Sequence, residues 1–223
     1  KINRAIFLKG CMSMNEQIKK IVSKIPKLEE GERFIIGIDG LSRSGKTTLV
    51  KHLSQMLTEE KLPFYVFHID DHIVERDRRY NTGHEEWFEY YQLQWDIQGL
   101  RDQLFEKIKG AQSFNLSFYQ DESDTQMTKQ ITLPDPCVVI IEGVFLQRKE
   151  WSNYYDFLLY LDCPREKRFL RESQETQKKL LKFENRYWLA ENFYLESERP
   201  LDGAHMGSTW LIDSCSMDLR FGG

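Results

Sequence analysis

Two kinds of apolar run alternate along the chain. Near its start, "NEQIKKIVSKI" carries Ile18, Ile21, Val22 and Ile25 at helical spacing and stops at Pro26. "RFIIGID" is a short apolar run closing on glycines, which predicts a buried strand. From Thr47 to about Glu59 the apolar positions Leu49, Val50, Leu53, Met56 and Leu57 return to one helical face. "LPFYVFHID" predicts a second strand, "CVVIIEG" a third and "FLLYLDC" a fourth. Between the second and third, "EEWFEYYQLQWDIQGLRDQLFEKIKG" predicts one or two helices. "SFNLSFYQDESDTQMTKQITLP" has short alternating pieces around a polar turn, the pattern of a β-hairpin. After the fourth strand, "PREKRFLRESQETQKKLLKFENRYWLAENFYLES" is strongly helical, with one or two breaks.

Strands alternating with helices predict an α/β fold with a doubly wound parallel sheet. Ligands of such sheets bind outside the carboxyl ends of the strands. Asp70, Glu142 and the glycine-rich turn after the first strand all fall at strand ends. Three polar features are therefore aimed at one edge.

Length and composition fit this picture. A chain of 223 residues, 40% hydrophobic and 30% charged, is enough for one well-filled core. We expect a single domain over residues 14–202. The segment "GAHMGS" resembles a cloning scar, and residues 203–223 are expected to be a junction tail. No apolar run reaches the roughly 20 residues of a membrane span, and no signal-peptide pattern is present. The net charge of −4 argues against nucleic acid as a partner. Cys11, Cys137, Cys163 and Cys215 form no CxxC pair and read as reduced, buried thiols of a cytoplasmic protein. Homo-oligomerisation stays open.

"GLSRSGKT", Gly40 to Thr47, matches the phosphate-loop pattern GxxxxGKT between a predicted strand and a predicted helix. Gly40 and Gly45 let the backbone close around phosphate oxygens, and Ser42, Ser44 and Thr48 belong to the same cradle. Lys46 would neutralise the β- and γ-phosphates, and the Thr47 hydroxyl would ligate Mg²⁺. The loop implies a bound triphosphate such as ATP, without saying what is done with it.

In "HIDDH", only one of Asp70 and Asp71 should face the site, because side chains alternate across a strand. A carboxylate there suits proton abstraction from a hydroxyl and metal binding, whereas Asp71 reads equally well as a helix N-cap. Glu142 follows four apolar residues and reads as a ligand of Mg²⁺ or as one half of a salt bridge. Arg165, Arg168 and Arg171 are three apart, so they share one face. That face is either a lid over phosphates or a solvated surface. Asp96 closes an aromatic run and could accept two hydrogen bonds from vicinal hydroxyls. The histidines show no metal-ligand spacing.

"GIDGLSRSGKTTL", "FHIDDH", "LQWD", "SFYQDESD", "VVIIEGVFL" and "YLDCPREKRFLRE", in this order, resemble the uridine kinase and phosphoribulokinase group of P-loop kinases. Nicotinamide riboside kinases and bacterial pantothenate kinases stand nearby. The resemblance runs from about Phe34 to Glu198. It implies a P-loop NTPase fold with a β-hairpin insertion and a helical lid, using ATP and Mg²⁺. It implies that Asp70 is the catalytic base and a metal contact, and that Asp96 holds the sugar hydroxyls. It further implies that Tyr119 meets the acceptor, Glu142 serves the metal, and Arg168 and Arg171 contact phosphates. Two departures stand out. "DDHIVERDRRY" replaces the aromatic that pyrimidine kinases carry after the acids, and Asp124 stands where they carry a base-reading histidine.

The leading expectation is an ATP-dependent kinase acting on a primary hydroxyl, foremost the 5′-hydroxyl of a nucleoside such as uridine. The alternatives are a nucleotide-dependent switch, or a kinase for pantothenate or a polynucleotide 5′-hydroxyl. A guanine-reading NKxD is missing, and the one DxxG, "DIQG", sits in a helical stretch.

Overall fold

The computed structural model describes residues 13–209. Helix α1 (Met14–Val22) opens on a capping box in which Ser13 and Glu16 satisfy each other's backbone amides. Strand β1 (Arg33–Gly40) leads through the glycine-rich loop into α2 (Lys46–Glu59). Strand β2 (Phe64–His68) ends in a tight 3-10 turn, Ile69–His72. Helices α3 (Arg76–Arg79), α4 (Glu86–Gln92) and α5 (Ile97–Leu100) follow, the last running into a π-helical turn at Arg101–Phe105. Then come β3 (Ser113–Gln120), β4 (Thr125–Thr132), β5 (Cys137–Gly143) and β6 (Phe157–Asp162). The chain finishes with α6 (Arg165–Leu170), α7 (Gln174–Gln177), α8 (Leu180–Lys182), α9 (Trp188–Ser197), α10 (Pro200–Gly203) and β7 (Met206–Thr209).

The main sheet is ordered β2-β5-β1-β6-β7 and is parallel throughout. Strands β3 and β4 form a separate antiparallel hairpin. The period of two along each strand divides the core. Ile36 and Ile38 of β1 and Val138 and Ile140 of β5 face α1 and α2, meeting Ile18, Ile21, Leu49, Leu53 and Leu57. Ile35, Val139 and Ile141 face the other way, onto Phe67, Leu104, Phe105, Phe145 and Trp151. Each such aliphatic side chain contributes about 1.5–3 kcal/mol on burial. Both faces of the sheet are thus covered, which explains why its strands read as unbroken apolar runs.

The long helical run after β6 carries two breaks, before α7 and before α8, within the one or two expected. One break is set by Ser173, whose side chain accepts from Thr176 N at 3.1 Å and starts a new helix. One expectation changes, at the end of the domain. Residues 204–209 are part of the fold: β7 pairs in parallel with β6, His205 N donates to Leu158 O at 2.9 Å, and Ala204 and Met206 are buried. The ordered fold therefore passes the expected boundary at 202, because the edge of β6 still had backbone groups to satisfy. The rest of the expected tail, 210–223, and Cys11 and Cys215 lie outside the described residues. Cys137 and Cys163 are free and buried. No helix among the described residues is long and apolar enough to cross a membrane.

Candidate active site

The loop after β1 is built on backbone conformations that side chains resist. Gly40 and Gly45 have φ of 152° and 103°, and Arg43 takes the left-handed region at 61°. A Cβ on Gly40 would stand 2.8 Å from Leu161 O, so the adjacent strand also demands glycine there. The buried carboxylate of Asp39 anchors the loop from below. It accepts from Gly40 N at 2.8 Å, Gln147 Nε2 at 2.9 Å, Leu146 N at 3.3 Å and the Tyr194 hydroxyl. Burial raises its pKa, and these donors oppose the rise.

Lys46 lies under the loop, where Nζ donates to Gly40 O at 2.9 Å and Leu41 O at 3.1 Å. Burial lowers its pKa, opposed by Glu142, Asp70 and Asp39. Sheet register sets Ile38 and His68 on either side of Glu142. Glu142 Oε1 accepts from the Thr47 hydroxyl at 3.3 Å and lies 2.8 Å from His68 Nδ1, while its Oε2 is buried without a partner. The hydrogen bond to Glu142 is the main reason the His68 pKa rises. Asp70, in the turn after β2, opens onto the cleft yet is crowded by protein. That crowding raises its pKa first, Glu142 and Asp71 add to it, and Lys46 opposes it.

Lys46, Asp70 and Glu142 line a cleft of about 810 Å³ together with Ser42, Gly45, Thr47 and Thr48. Arg165, Arg168, Arg171, Tyr187, Trp188 and Glu191 also line it. Arg168 is buried and forked onto Glu191, with Nη1–Oε1 at 2.7 Å and Nη2–Oε2 at 2.9 Å. It also donates to Ser42 O at 3.0 Å, and Arg171 donates to Arg43 O at 2.7 Å. The two arginines thus grip the carbonyls of the phosphate loop. Helix α9 holds that loop twice, through Glu191 and Arg168, and through Tyr194 and Asp39.

The cleft brings together Ser42, Gly45, Lys46, Thr47, Thr48, Asp70, Glu142, Arg168 and Arg171. Ser44 sits beneath the loop, fully buried. Asp96 and Tyr119, expected at the acceptor, do not border the cleft. Asp96 is an exposed N-cap, accepting from Gly99 N at 3.0 Å. The Tyr119 hydroxyl donates to Asp124 Oδ1 at 2.8 Å and accepts from Arg79 Nη2 at 3.2 Å. Asp124 also accepts from Arg76 N at 2.9 Å, so this trio ties the hairpin turn to α3. Sequence reading missed Asp39, Tyr90, Gln94 and Glu191. For Asp39 a signal existed: an acid inside the apolar run of a central strand, directly before the loop.

The residues fit a hard divalent cation. The unpartnered buried Glu142 Oε2, the Thr47 hydroxyl and the Asp70 carboxylate are all oxygen donors. No group of three or more His, Cys, Asp or Glu side chains converges on a metal among the described residues. Such a site would therefore depend on phosphate oxygens as well, the usual habit of Mg²⁺.

A parallel sheet with a phosphate loop at its carboxyl edge and carboxylates in the same cleft is the arrangement of a P-loop nucleotide-binding fold. The sequence pattern of the Phosphoribulokinase / Uridine kinase family matches residues 35–175, and the chain belongs to that family. The uridine kinase of Borrelia duttonii (strain Ly) is 28% identical over 151 residues, 65% of this chain and 68% of its own. That of Macrococcus caseolyticus is 28% identical over 143 residues, 61% and 66% of the two chains. A Bacillus stearothermophilus structure described as "a Possible Uridine Kinase" superposes with a TM-score of 0.75. It is 46% identical, and the match covers 88% of this chain and all of the other. The chain is therefore a kinase of the P-loop, nucleotide-binding type.

Proposed function

We propose that the protein transfers the γ-phosphoryl group of ATP to a primary hydroxyl of a small, nucleoside-like molecule, with uridine as the first candidate. The observation that carries this reading is the position of Asp70. It shares one cleft with Lys46, Thr47 and Glu142, and its surroundings raise its affinity for a proton.

Asp70 takes the proton of the acceptor hydroxyl as that oxygen bonds to the γ-phosphorus. The bond to the β-γ bridging oxygen breaks, and ADP leaves. Lys46 exchanges its contacts with the Gly40 and Leu41 carbonyls for phosphate oxygens, a change that needs only its flexible stem to move. The amides of the loop and the start of α2 supply fixed positive dipoles. Thr47, Asp70 and Glu142 would hold Mg²⁺, which when bound neutralises charge on the transferring group. Arg168 and Arg171 keep the loop in shape through the Ser42 and Arg43 carbonyls.

A coupled ADP-release assay with uridine, cytidine, pantothenate and ribulose 5-phosphate tests the reading. Acceptor-dependent release by the wild type and its loss in Asp70→Asn are expected. Near-normal turnover by Asp70→Asn would remove Asp70 as the base.

A further inference from the structure

The wall of the cleft that carries Asp70 contains a polar group not used above. Gln94 borders the cleft with Ile73, Tyr90 and Val144. Its side-chain Oε1 is closed off from solvent and has no hydrogen-bond partner. Its backbone, by contrast, is firmly strapped. Val74 N donates to Gln94 O at 3.0 Å, Trp95 Nε1 donates to Ile69 O at 2.9 Å, and Ile73 and Trp95 form an antiparallel bridge. Ile69, Ile73 and Val74 flank Asp70 along the chain, so Gln94 and Asp70 share one support. Buried carboxamides are normally satisfied within the fold. One that is anchored by its backbone, idle at its tip and set in the wall of a cleft is suited to recognise a ligand.

Charge on this wall narrows the ligand. The cations of the cleft, Arg43, Lys46, Arg165, Arg168 and Arg171, all come from the phosphate loop or from α6 and its end. Asp70, Ile73, Tyr90 and Gln94 bring an acid, an aliphatic chain, a phenol and a carboxamide, but no cation. Two arginines of the same region are turned into the fold. Arg79 Nε donates to Val74 O at 2.7 Å, and Arg186 pairs with Glu89 at 3.0 Å. A carboxylate or phosphate held here would face Asp70 without a counter-charge. The unpaired Gln94 Oε1 only accepts, so it matches a group that offers an N–H or O–H donor and not a bare carboxylate or phosphate oxygen.

We propose that Gln94 is a specificity-determining residue of the acceptor site, hydrogen-bonding a neutral N–H or O–H donor of the acceptor and so favouring neutral over anionic acceptors. This rests on the kinase reading above and deepens it. Steady-state kinetics of the wild type, Gln94→Leu and Gln94→Asn, with uridine and cytidine against pantothenate and ribulose 5-phosphate, test it. The wild type should prefer a neutral acceptor. Gln94→Leu should raise that acceptor's KM about tenfold, the scale of one lost hydrogen bond, and leave kcat and the KM for ATP nearly unchanged. Gln94→Asn should recover part of the loss. An unchanged acceptor KM in Gln94→Leu, a parallel rise in the KM for ATP, or a wild-type preference for an anionic acceptor would overturn the proposal. If the wild type releases no ADP with any acceptor, the kinase reading fails instead. Calorimetry with uridine then decides the matter for Gln94: equal binding, or equal absence of binding, by wild type and Gln94→Leu overturns it.

Discussion

The two sides of the cleft are built to different standards of completion. On the phosphate-loop side the charged groups that shape the loop already have protein partners, while Ser44 Oγ and Arg165 Nε are buried and unpaired. Lys46 is held by two carbonyls, Asp39 by four donors, Arg168 by both oxygens of Glu191. On the Asp70 side Gln94 Oε1 has none, and His72 Nε2 and Gln126 Oε1, just behind, are also buried and unpaired. The loop side is a cradle whose charged anchors must be in place before its ligand arrives. Fixed dipoles stabilise charge only if they need no rearrangement. The Asp70 side keeps the hydrogen-bonding capacity of a carboxamide in reserve, which is where selectivity between similar small molecules can reside.

This contrast can be broken most directly at Asp70. Asp70→Asn should lower kcat/KM by about 10²–10⁴, the usual range for a general base. The pH profile sharpens the same point. Crowding of Asp70 by protein favours the protonated acid, so the active carboxylate is lost on acidification at a pH above that of an ordinary aspartate. The acid limb of the wild-type kcat/KM profile should lie correspondingly high. An acid limb at ordinary aspartate values would contradict the crowding of this site.

Glu191→Gln comes next. It leaves the buried Arg168 charge without its partner, which by analogy with other broken buried pairs costs about 3–5 kcal/mol of stability. Urea unfolding would measure it, and a loss of only a few tenths would mean that Arg168 finds another partner. Tyr194→Phe removes one donor to buried Asp39, expected to cost about 1.5–3 kcal/mol. It should raise the KM for ATP more than that for the acceptor. Equal rises would show that α9 does not act through the loop. Asp124→Ala, at the exposed hairpin turn, should have the smallest effect on stability. A large rise in acceptor KM from it would bring the hairpin back to the acceptor.

The legible parts of the molecule were those whose physics is local. The strand-loop-helix around Gly40 to Thr47 announces itself because glycine, lysine and threonine are needed at fixed offsets along one short segment. Asp70 and Glu142 were legible because an acid ending an apolar run can only be at a strand end. Asp96 and Tyr119 were expected at the acceptor from the order of motifs; their contacts as an N-cap and in a hairpin tie, outside the cleft lining, were not legible there. Gln94 looked like any glutamine in a polar-aromatic stretch. What distinguishes it is the missing partner, which no pattern along the chain records.

Alternating runs of apolar residues were enough to dictate a parallel α/β sheet and to bring the phosphate loop to its carboxyl edge, because burial and hydrogen-bond periodicity act over a few residues. The locking of Arg168 onto Glu191, the burial of Asp39 beneath the loop and the unpaired tip of Gln94 depend on segments far apart in the chain. Those relations exist only once helices and strands have packed, since a charge or an amide is satisfied or left free by whatever the fold sets beside it.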